Sequence, residues 1–233
     1  MKTIGILQPG RLGDIIICLP IAKHYFDIGY KVIWPVFSNF IGMLNEVIPY
    51  VTFIPVASDV YKCVPQALAF LQELSVDHIF DVAATFPGSS CTNEYVTLGD
   101  GMAHLKFDEF KYNKCHVPFE KKWNLEFNRI SKNEDQIIKD LVSQENYDVV
   151  STKHSRGTVP IQFESKNQII YVNENYNIFS WYKILLGAKT IVLVDSAMAN
   201  FVEQTNLSNK KMLLQNPVGR PPIFKNNWIY MSV

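Results

Sequence analysis

A short loop near the amino terminus carries the first residues that could do chemistry. It reads Gln8-Pro9-Gly10-Arg11-Leu12-Gly13-Asp14 and lies between an apolar run, typical of a strand, and a helix-period segment. Gly10 and Gly13 let the backbone turn tightly and approach a ligand closely. The free N–H groups at the helix start favour an anion, so the loop, with Arg11, is predicted to bind an acceptor or a phosphate. Asp14 falls in the first helical turn, where a carboxylate serves either as a general base or as a helix-stabilising charge.

A second junction of strand and helix lies in the second half of the chain. It reads Val194-Asp195-Ser196-Ala197-Met198-Ala199-Asn200 and follows the strongly apolar run Thr190–Val194. The Ser196 hydroxyl and the N–H groups behind it could hold a phosphate. The same serine is a good N-cap, so the residue types leave both roles open.

A third loop, Ser151–Gly157, leaves a predicted strand at its carboxyl end and holds Lys153 and Arg156. Two cations among hydroxyl side chains suit a diphosphate, because a guanidinium binds two oxygens at once. These residues are equally compatible with a solvent-exposed loop that has no ligand. Beyond Glu203 the chain has no acidic residue, and this local basic excess could face a nucleotide or a nucleic-acid backbone. The basic residues there are Lys210, Lys211, Arg220 and Lys225.

The elements that position these loops alternate between strands and helices. Strands are predicted at 3–8, 31–37, 51–56, 78–83, 147–152, 168–172, 190–194, 211–215 and 228–231. Helices are predicted at 14–28, 40–47, 65–74, 132–143, 178–186 and 196–205. The segment 86–132 loses this rhythm and mixes aromatic residues with lysines. The pattern predicts two α/β halves, each with a parallel sheet, joined through this irregular segment, with ligands beyond the strand carboxyl ends.

Composition excludes several classes of protein. The chain has 233 residues, of which 48% are hydrophobic and 19% charged, which is globular composition. The formal net charge is zero, so its overall field does not attract nucleic acid or a membrane. We expect no signal peptide and no transmembrane segment. The four widely spaced cysteines form no CxxC pair, which predicts reduced thiols in a cytoplasmic protein and no metal site.

The first two loops together resemble one known family, the ADP-heptose:lipopolysaccharide heptosyltransferases of glycosyltransferase family nine. Its members open with a strand, a loop ending in Gly-Asp and an apolar helix with Leu-Pro or Thr-Pro; this chain has ILQPGRLGDIIICLPIAKHY. Their second signature is an apolar strand, Asp-Ser/Thr-Gly, two residues and His; this chain is similar over WYKILLGAKTIVLVDSAMANFVEQT. Ala197 stands where the family has Gly, and Asn200 where it has His.

The resemblance implies a GT-B-like fold of two small Rossmann-like parallel-sheet halves facing a cleft. Residues 1–115 would bind the acceptor and residues 116–233 the nucleotide sugar. The implied activity is metal-independent, inverting transfer of a heptose or hexose from a nucleoside-diphosphate sugar to a glycan or other hydroxyl acceptor, with no further cofactor. The family's proposed general base corresponds to Asp14. The residues that the resemblance implies at the donor are Lys153, Arg156, Asp195, Ser196, Ala197 and Asn200.

The residues are also compatible, to different degrees, with three other functions. The basic, aromatic middle segment favours a glycosyltransferase that acts on a nucleic-acid base, since aromatic rings stack on bases and lysines neutralise phosphates. The altered second motif favours a non-catalytic nucleotide-binding protein that kept the fold. An NAD-dependent oxidoreductase is disfavoured, because only Gly10 and Gly13 stand where a GxGxxG fingerprint is required.

Overall fold

The computed structural model divides the chain into two compact units, Met1–Asn128 and Arg129–Val233. The residues that the structure describes are 1–84, 86–92, 94, 105–154, 157–214 and 222–231.

The first unit is built on a four-stranded parallel sheet. Its elements are β1 (Thr3–Leu7), α1 (Leu12–Asp27), β2 (Lys31–Phe37), α2 (Ile41–Val47), β3 (Thr52–Val56), α3 (Cys63–Glu73), β4 (His78–Asp81) and α4 (Phe107–Lys114), with 3₁₀ helices at Ser38–Phe40 and Phe119–Trp123. The strand order is β3-β2-β1-β4, with parallel pairs throughout. β1 is central and buried, and its Leu7 packs against α3 through Val64 and Leu71. The predicted parallel sheet of this half is confirmed.

The middle segment is more regular than the sequence suggested. Its aromatic and basic residues form α4 and the 3₁₀ helix Phe119–Trp123, both of which contact α1. The Tyr112 hydroxyl donates to the carbonyl of Ile17 at 2.9 Å, which ties α4 to α1. The rhythm of strands is lost here because the segment packs as helices beside α1, and the expectation of an irregular linker is wrong for these residues.

The boundary between the units lies after Asn128, whereas the sequence placed it after residue 115. Contacts on the first unit explain the difference. The Tyr50 hydroxyl donates to the Glu126 carbonyl at 2.9 Å, and the Asn128 N–H donates to the Val47 carbonyl at 2.7 Å. Residues 116–128 therefore belong with the first sheet, and the boundary still falls within the segment where the strand rhythm is broken.

The second unit is built on a five-stranded parallel sheet. Its elements are α5 (Ser131–Leu141), β5 (Tyr147–Ser151), β6 (Lys153–His154), β7 (Gly157–Thr158), β8 (Gln168–Tyr171), a 3₁₀ helix (Ile178–Trp181), α6 (Tyr182–Gly187), β9 (Thr190–Val194), α7 (Ala197–Gln204), β10 (Lys210–Leu214) and β11 (Trp228–Met231). The strand order is β11-β10-β9-β5-β8, with parallel pairs throughout. The predicted parallel sheet of this half is also confirmed. The short antiparallel hairpin β6–β7 was not expected.

α6 ends at Gly187, one residue beyond the predicted end, and packing explains the glycine. A Cβ at Gly187 would lie 2.4 Å from the hydroxyl of Tyr147, which donates to the Ile184 carbonyl. Only glycine leaves room for that ring under the helix. Among the described residues, no helix is long and apolar enough to cross a membrane.

Candidate functional site

Two neighbouring strands of the first unit deliver the amino-terminal loop and a second chain segment to one edge of the sheet. Leu7 of β1 is paired with Asp81 of β4, and the strands are parallel. Gln8 and Val82 therefore leave the sheet side by side at its carboxyl edge. Ligands of parallel sheets bind at this edge, so the structure places the predicted loop where a site is expected.

The loop is held by buried polar contacts. The Gln8 side chain is fully buried, and its Nε2 donates to the Gly10 carbonyl at 2.9 Å. The Trp34 indole N–H donates to the Gln8 carbonyl at 3.0 Å. A Cβ at Gly10 would lie 2.4 Å from the Phe37 ring, so glycine is required there by close approach. Gly13 lies in the first turn of α1.

Gly10→Ala is therefore expected to destabilise the first unit by ~1–3 kcal/mol, because an added methyl group overpacks the contact with Phe37. Urea unfolding of the full chain, followed through the tryptophans, measures the change. The double variant Gly10→Ala/Phe37→Leu is the control, since a smaller side chain at 37 should recover most of the loss. Equal stability of Gly10→Ala and wild type would contradict this close contact.

Asp14 is the third residue of α1 and does not occupy the cap position. Arg11 does, with a left-handed backbone (φ 59°) and no side-chain capping bond, and its carbonyl accepts the Asp14 N–H at 2.9 Å. The Arg11 guanidinium lies 5.0 Å from the centre of the Phe86 ring. A carboxylate in the first turn stabilises the helix through its dipole, so this role coexists with a catalytic one.

The contact partner of Asp14 is Lys111 of α4, which the sequence did not single out. Their Nζ and Oδ1 atoms are 3.4 Å apart, and the side chains are 6% (Lys111) and 14% (Asp14) exposed. The same ammonium donates to Gln8 Oε1 at 2.6 Å and to the Val82 carbonyl at 2.7 Å. Lys111 thus joins the ends of β1 and β4 to the first turn of α1.

The charge of Lys111 is maintained by its surroundings. Burial lowers its pKa, but the nearby Asp14 carboxylate and the Cys18 thiol act in the opposite direction, and the net pKa lies above the ordinary lysine value. The site therefore holds a buried cation against a partly exposed carboxylate. The sequence signal for it was Phe110-Lys111-Tyr112, a lysine between two aromatic residues of one helix, all of them buried.

A second buried carboxylate orders the segment that follows β4. Asp81 accepts hydrogen bonds from the Ala83 N–H (3.1 Å), the Ser90 N–H (2.7 Å) and the hydroxyls of Ser89 and Ser90 (both 2.8 Å). With its oxygens satisfied in this way, Asp81 serves to fold the chain beside Phe86. It is not placed as a free base.

Thiol and metal chemistry find no support in the described part of the chain. All four cysteines are free and buried. Burial is the main cause that raises the pKa of Cys18 to about 12 and that of Cys91 to about 11, so neither forms a thiolate at neutral pH. The described residues contain no group of three or more His, Cys, Asp or Glu side chains able to hold a metal ion.

In the second unit, the register of two adjacent strands brings the two predicted donor loops to the same edge. Ser151 of β5 is paired with Leu193 of β9, and the strands are parallel. Lys153 and Asp195, each two residues further on, therefore emerge next to one another in the sheet order. Arg156 and Ser155 lie outside the described residues.

The residues around the start of α7 cap the helix, and the backbone N–H groups of its first turn stay at the helix start. Ser196 is the N-cap, and its Oγ accepts the Ala199 N–H at 3.4 Å. Asn200, only 5% exposed, donates from Nδ2 to the Ser196 carbonyl at 3.1 Å. Ala197 begins the helix. These contacts keep the helix start ordered, and a serine hydroxyl in this position can still donate to a bound oxygen.

Lys153 opens the hairpin β6–β7, and its Nζ lies 2.5 Å from Glu174 Oε1, with both side chains exposed. Exposed pairs contribute little to stability. The Lys153 ammonium can therefore exchange Glu174 for an anion that carries more charge.

Several basic residues that suggested a nucleic-acid surface are buried in the protein. Lys111 and Lys122 are buried among protein groups, so they do not present charge to a phosphate backbone. Lys210 and Lys211 open β10, at the amino end of the sheet, and Lys211 is buried. Arg220 lies outside the described residues. Three of the described lysines that suggested nucleic acid, Lys111, Lys122 and Lys211, are thus buried in the protein.

No protein-family model matches the chain, and no curated protein matches it in sequence. Solved structures do. A glycosyl transferase of family 9 from Veillonella parvula has a TM-score of 0.62 and 10% identity, over 100% of this chain and 86% of that chain. The E. coli ADP-heptose LPS heptosyltransferase II has a TM-score of 0.59 and 11% identity, over 99% of this chain and 90% of that chain. The E. coli heptosyltransferase WaaC with ADP has a TM-score of 0.54 and 15% identity, over 100% of this chain and 91% of that chain.

At such low identity the likeness concerns the fold. Both parallel sheets are covered, and so are the two loops whose sequences carry the resemblance. The chain therefore has a GT-B-like α/β fold, shared with the heptosyltransferase family that its two motifs resemble.

Proposed function

We propose that this protein is a glycosyltransferase that moves a sugar from a nucleoside-diphosphate sugar to an acceptor hydroxyl with inversion. The observation that carries the proposal is the placement of Asp14. It is a partly exposed carboxylate at the carboxyl edge of the first sheet, paired with a buried cation, in a chain that has a glycosyltransferase fold. Heptose or hexose is the proposed sugar, because two of the structures that share this fold are the E. coli heptosyltransferases II and WaaC.

In the proposed reaction, the acceptor oxygen attacks the anomeric carbon of the donor. The bond from that oxygen to carbon forms as the bond from carbon to the diphosphate oxygen breaks. The acceptor proton passes to the Asp14 carboxylate, which acts as general base. The nucleoside diphosphate leaves with the bonding electron pair and gains negative charge.

The second unit supplies the groups proposed to stabilise that charge. Lys153 opens β6, and Arg156 follows three residues later in the sequence. Asp195, Ser196 and Ala197 lead into α7 from the neighbouring strand. Cations and free helix N–H groups stabilise a leaving diphosphate without needing a metal ion. Asn200 is proposed to act indirectly, by bonding the Ser196 carbonyl.

A non-catalytic nucleotide-binding protein is the second candidate, and one observation favours it. Asn200 is turned into its own helix, where the resembling family has a histidine. Such a protein would bind a nucleoside diphosphate and turn nothing over.

The test is a thermal-shift screen with ADP, GDP, UDP, CDP and dTDP and their sugar conjugates, followed by release of the diphosphate in the presence of candidate acceptors. A ligand at ~100 times its Kd adds roughly 2.7 kcal/mol of apparent stability, which is easily detected. Binding with turnover supports the transferase. Binding without turnover of any conjugate supports the second candidate, and no binding at all contradicts both.

Lys153→Ala and Arg156→Ala are each expected to weaken binding of the nucleoside diphosphate from that screen. Charge-assisted contacts contribute ~1.5–3 kcal/mol, which corresponds to about one order of magnitude or more in Kd. Isothermal titration calorimetry measures the change.

Glu174→Gln is the matched control. It removes the exposed partner of Lys153 and leaves the lysine in place. The diphosphate affinity should then be unchanged or higher. Wild-type affinity in Lys153→Ala would remove this residue from the site.

A further inference from the structure

Lys111 is more firmly fixed than an ordinary ion-pair partner. Two of its three N–H groups are taken by neutral acceptors, Gln8 Oε1 at 2.6 Å and the Val82 carbonyl at 2.7 Å. Gln8 is itself held through its bonds to Gly10 and from Trp34. The ammonium therefore keeps its position without help from Asp14.

Asp14 lies on the third side of this ammonium, at the longer distance of 3.4 Å. An ammonium has three donors in total, so the one that remains is directed to Oδ1 of Asp14. Lys111 therefore contacts Asp14 through Oδ1. This contact restrains the rotation of the carboxylate.

A buried lysine is a poor choice for stability alone. Replacing a buried ion pair with apolar residues of similar size is often neutral or stabilising. Helix α4 already packs on α1 through the buried residues Phe110 and Tyr112. A cation at position 111 therefore points to a role in the chemistry of its neighbour.

We propose that Lys111 is a positioning residue that holds the Asp14 carboxylate in the rotation needed for proton abstraction. This inference rests on the proposed glycosyl transfer. Lys111 is too deeply buried to contact a substrate, so it acts through Asp14. The contact restrains the orientation of the carboxylate that is proposed to take the proton of the acceptor.

The test is a double-mutant cycle on turnover, using the donor–acceptor pair that the screen identifies. Lys111→Met keeps the length of the side chain and removes the charge. It should lower kcat by ~10- to 100-fold, as loss of correct orientation does, and leave the KM for the nucleotide sugar unchanged. The decisive comparison is between Asp14→Asn and Asp14→Asn/Lys111→Met. Their kcat values should agree within about two-fold, because a residue that acts only through Asp14 has no effect in its absence.

Lys114→Met is the matched control, on the same helix, with the same substitution and a lost ion pair to Glu94. Its kcat should equal that of wild type. If Lys111→Met does not fold, the double variant that contains it gives no safe comparison, and a variant that keeps Lys111 is needed. Gln8→Met then tests the positioning, since it removes one anchor of Lys111 and should lower kcat with an unchanged donor KM.

Each outcome separates the two proposals. Turnover by wild type, together with a further loss of kcat when Lys111→Met is added to Asp14→Asn, overturns the positioning role and leaves the transferase in place. Wild-type kcat in Lys111→Met also overturns it. Absence of turnover in wild type overturns the transferase itself, and the positioning role with it.

Discussion

Asp14→Asn is expected to lower turnover by ~100-fold or more, because it removes the oxygen that we propose accepts the proton of the acceptor. Both kcat and kcat/KM should fall alike, since the lost interaction belongs to the transition state. Asparagine keeps the size of the side chain. The measurement is steady-state release of the nucleoside diphosphate by wild type and variant.

Stability must be followed in the same experiment. The substitution leaves the buried Lys111 ammonium without its carboxylate, so the melting temperature should also fall. Turnover is therefore compared well below the melting transition, per mole of folded protein. Affinity for the nucleoside diphosphate is the internal control and should be unchanged, since the segments that we propose bind the donor lie in the second unit. Turnover within a few-fold of wild type would return Asp14 to its helix-stabilising role.

Lys122→Met is expected to destabilise the first unit by ~3–5 kcal/mol, because it leaves a buried carboxylate without its cation. The Lys122 Nζ lies 2.5 Å from Asp108 Oδ2, and both side chains are completely buried. The ammonium also lies 5.7 Å from the centres of the Phe119 and Trp123 rings. Urea unfolding of the full chain measures the loss in the transition of this unit.

The control for this variant is Lys62→Met, which breaks an exposed pair of the same unit. Its Nζ is 3.9 Å from Asp59 Oδ2, and the lysine side chain is 77% exposed. Exposed pairs of this kind contribute little, so the midpoint should barely move. Similar midpoints for the two variants would show that the Asp108–Lys122 pair does not hold α4 and the 3₁₀ helix Phe119–Trp123 together.

Most of the secondary structure was predictable, since it depends on local periodicity. β2, β9 and β11 have the bounds that the sequence predicted, and the other predicted strands and helices differ mainly at their ends. Helix α4 was missed because it is short and mixes aromatic with charged residues, two of which, Asp108 and Lys111, are buried. The hairpin β6–β7 was missed because two-residue strands carry no periodic signal.

The sequence by itself determined the two parallel sheets and the three loops at strand carboxyl ends, because strand spacing and turn residues are local properties of the chain. The tertiary structure alone decided what surrounds Asp14. Gln8 and Lys111 are 103 residues apart in sequence and 2.6 Å apart in space, and no local pattern predicts which of several lysines will be buried. The mixture of lysines and aromatic residues in the segment 86–132, which includes Lys111 and Lys122, favoured a nucleic-acid surface. Packing against α1 made them buried partners of carboxylates, since a long apolar stem can follow a helix interior and bring its ammonium to an acid.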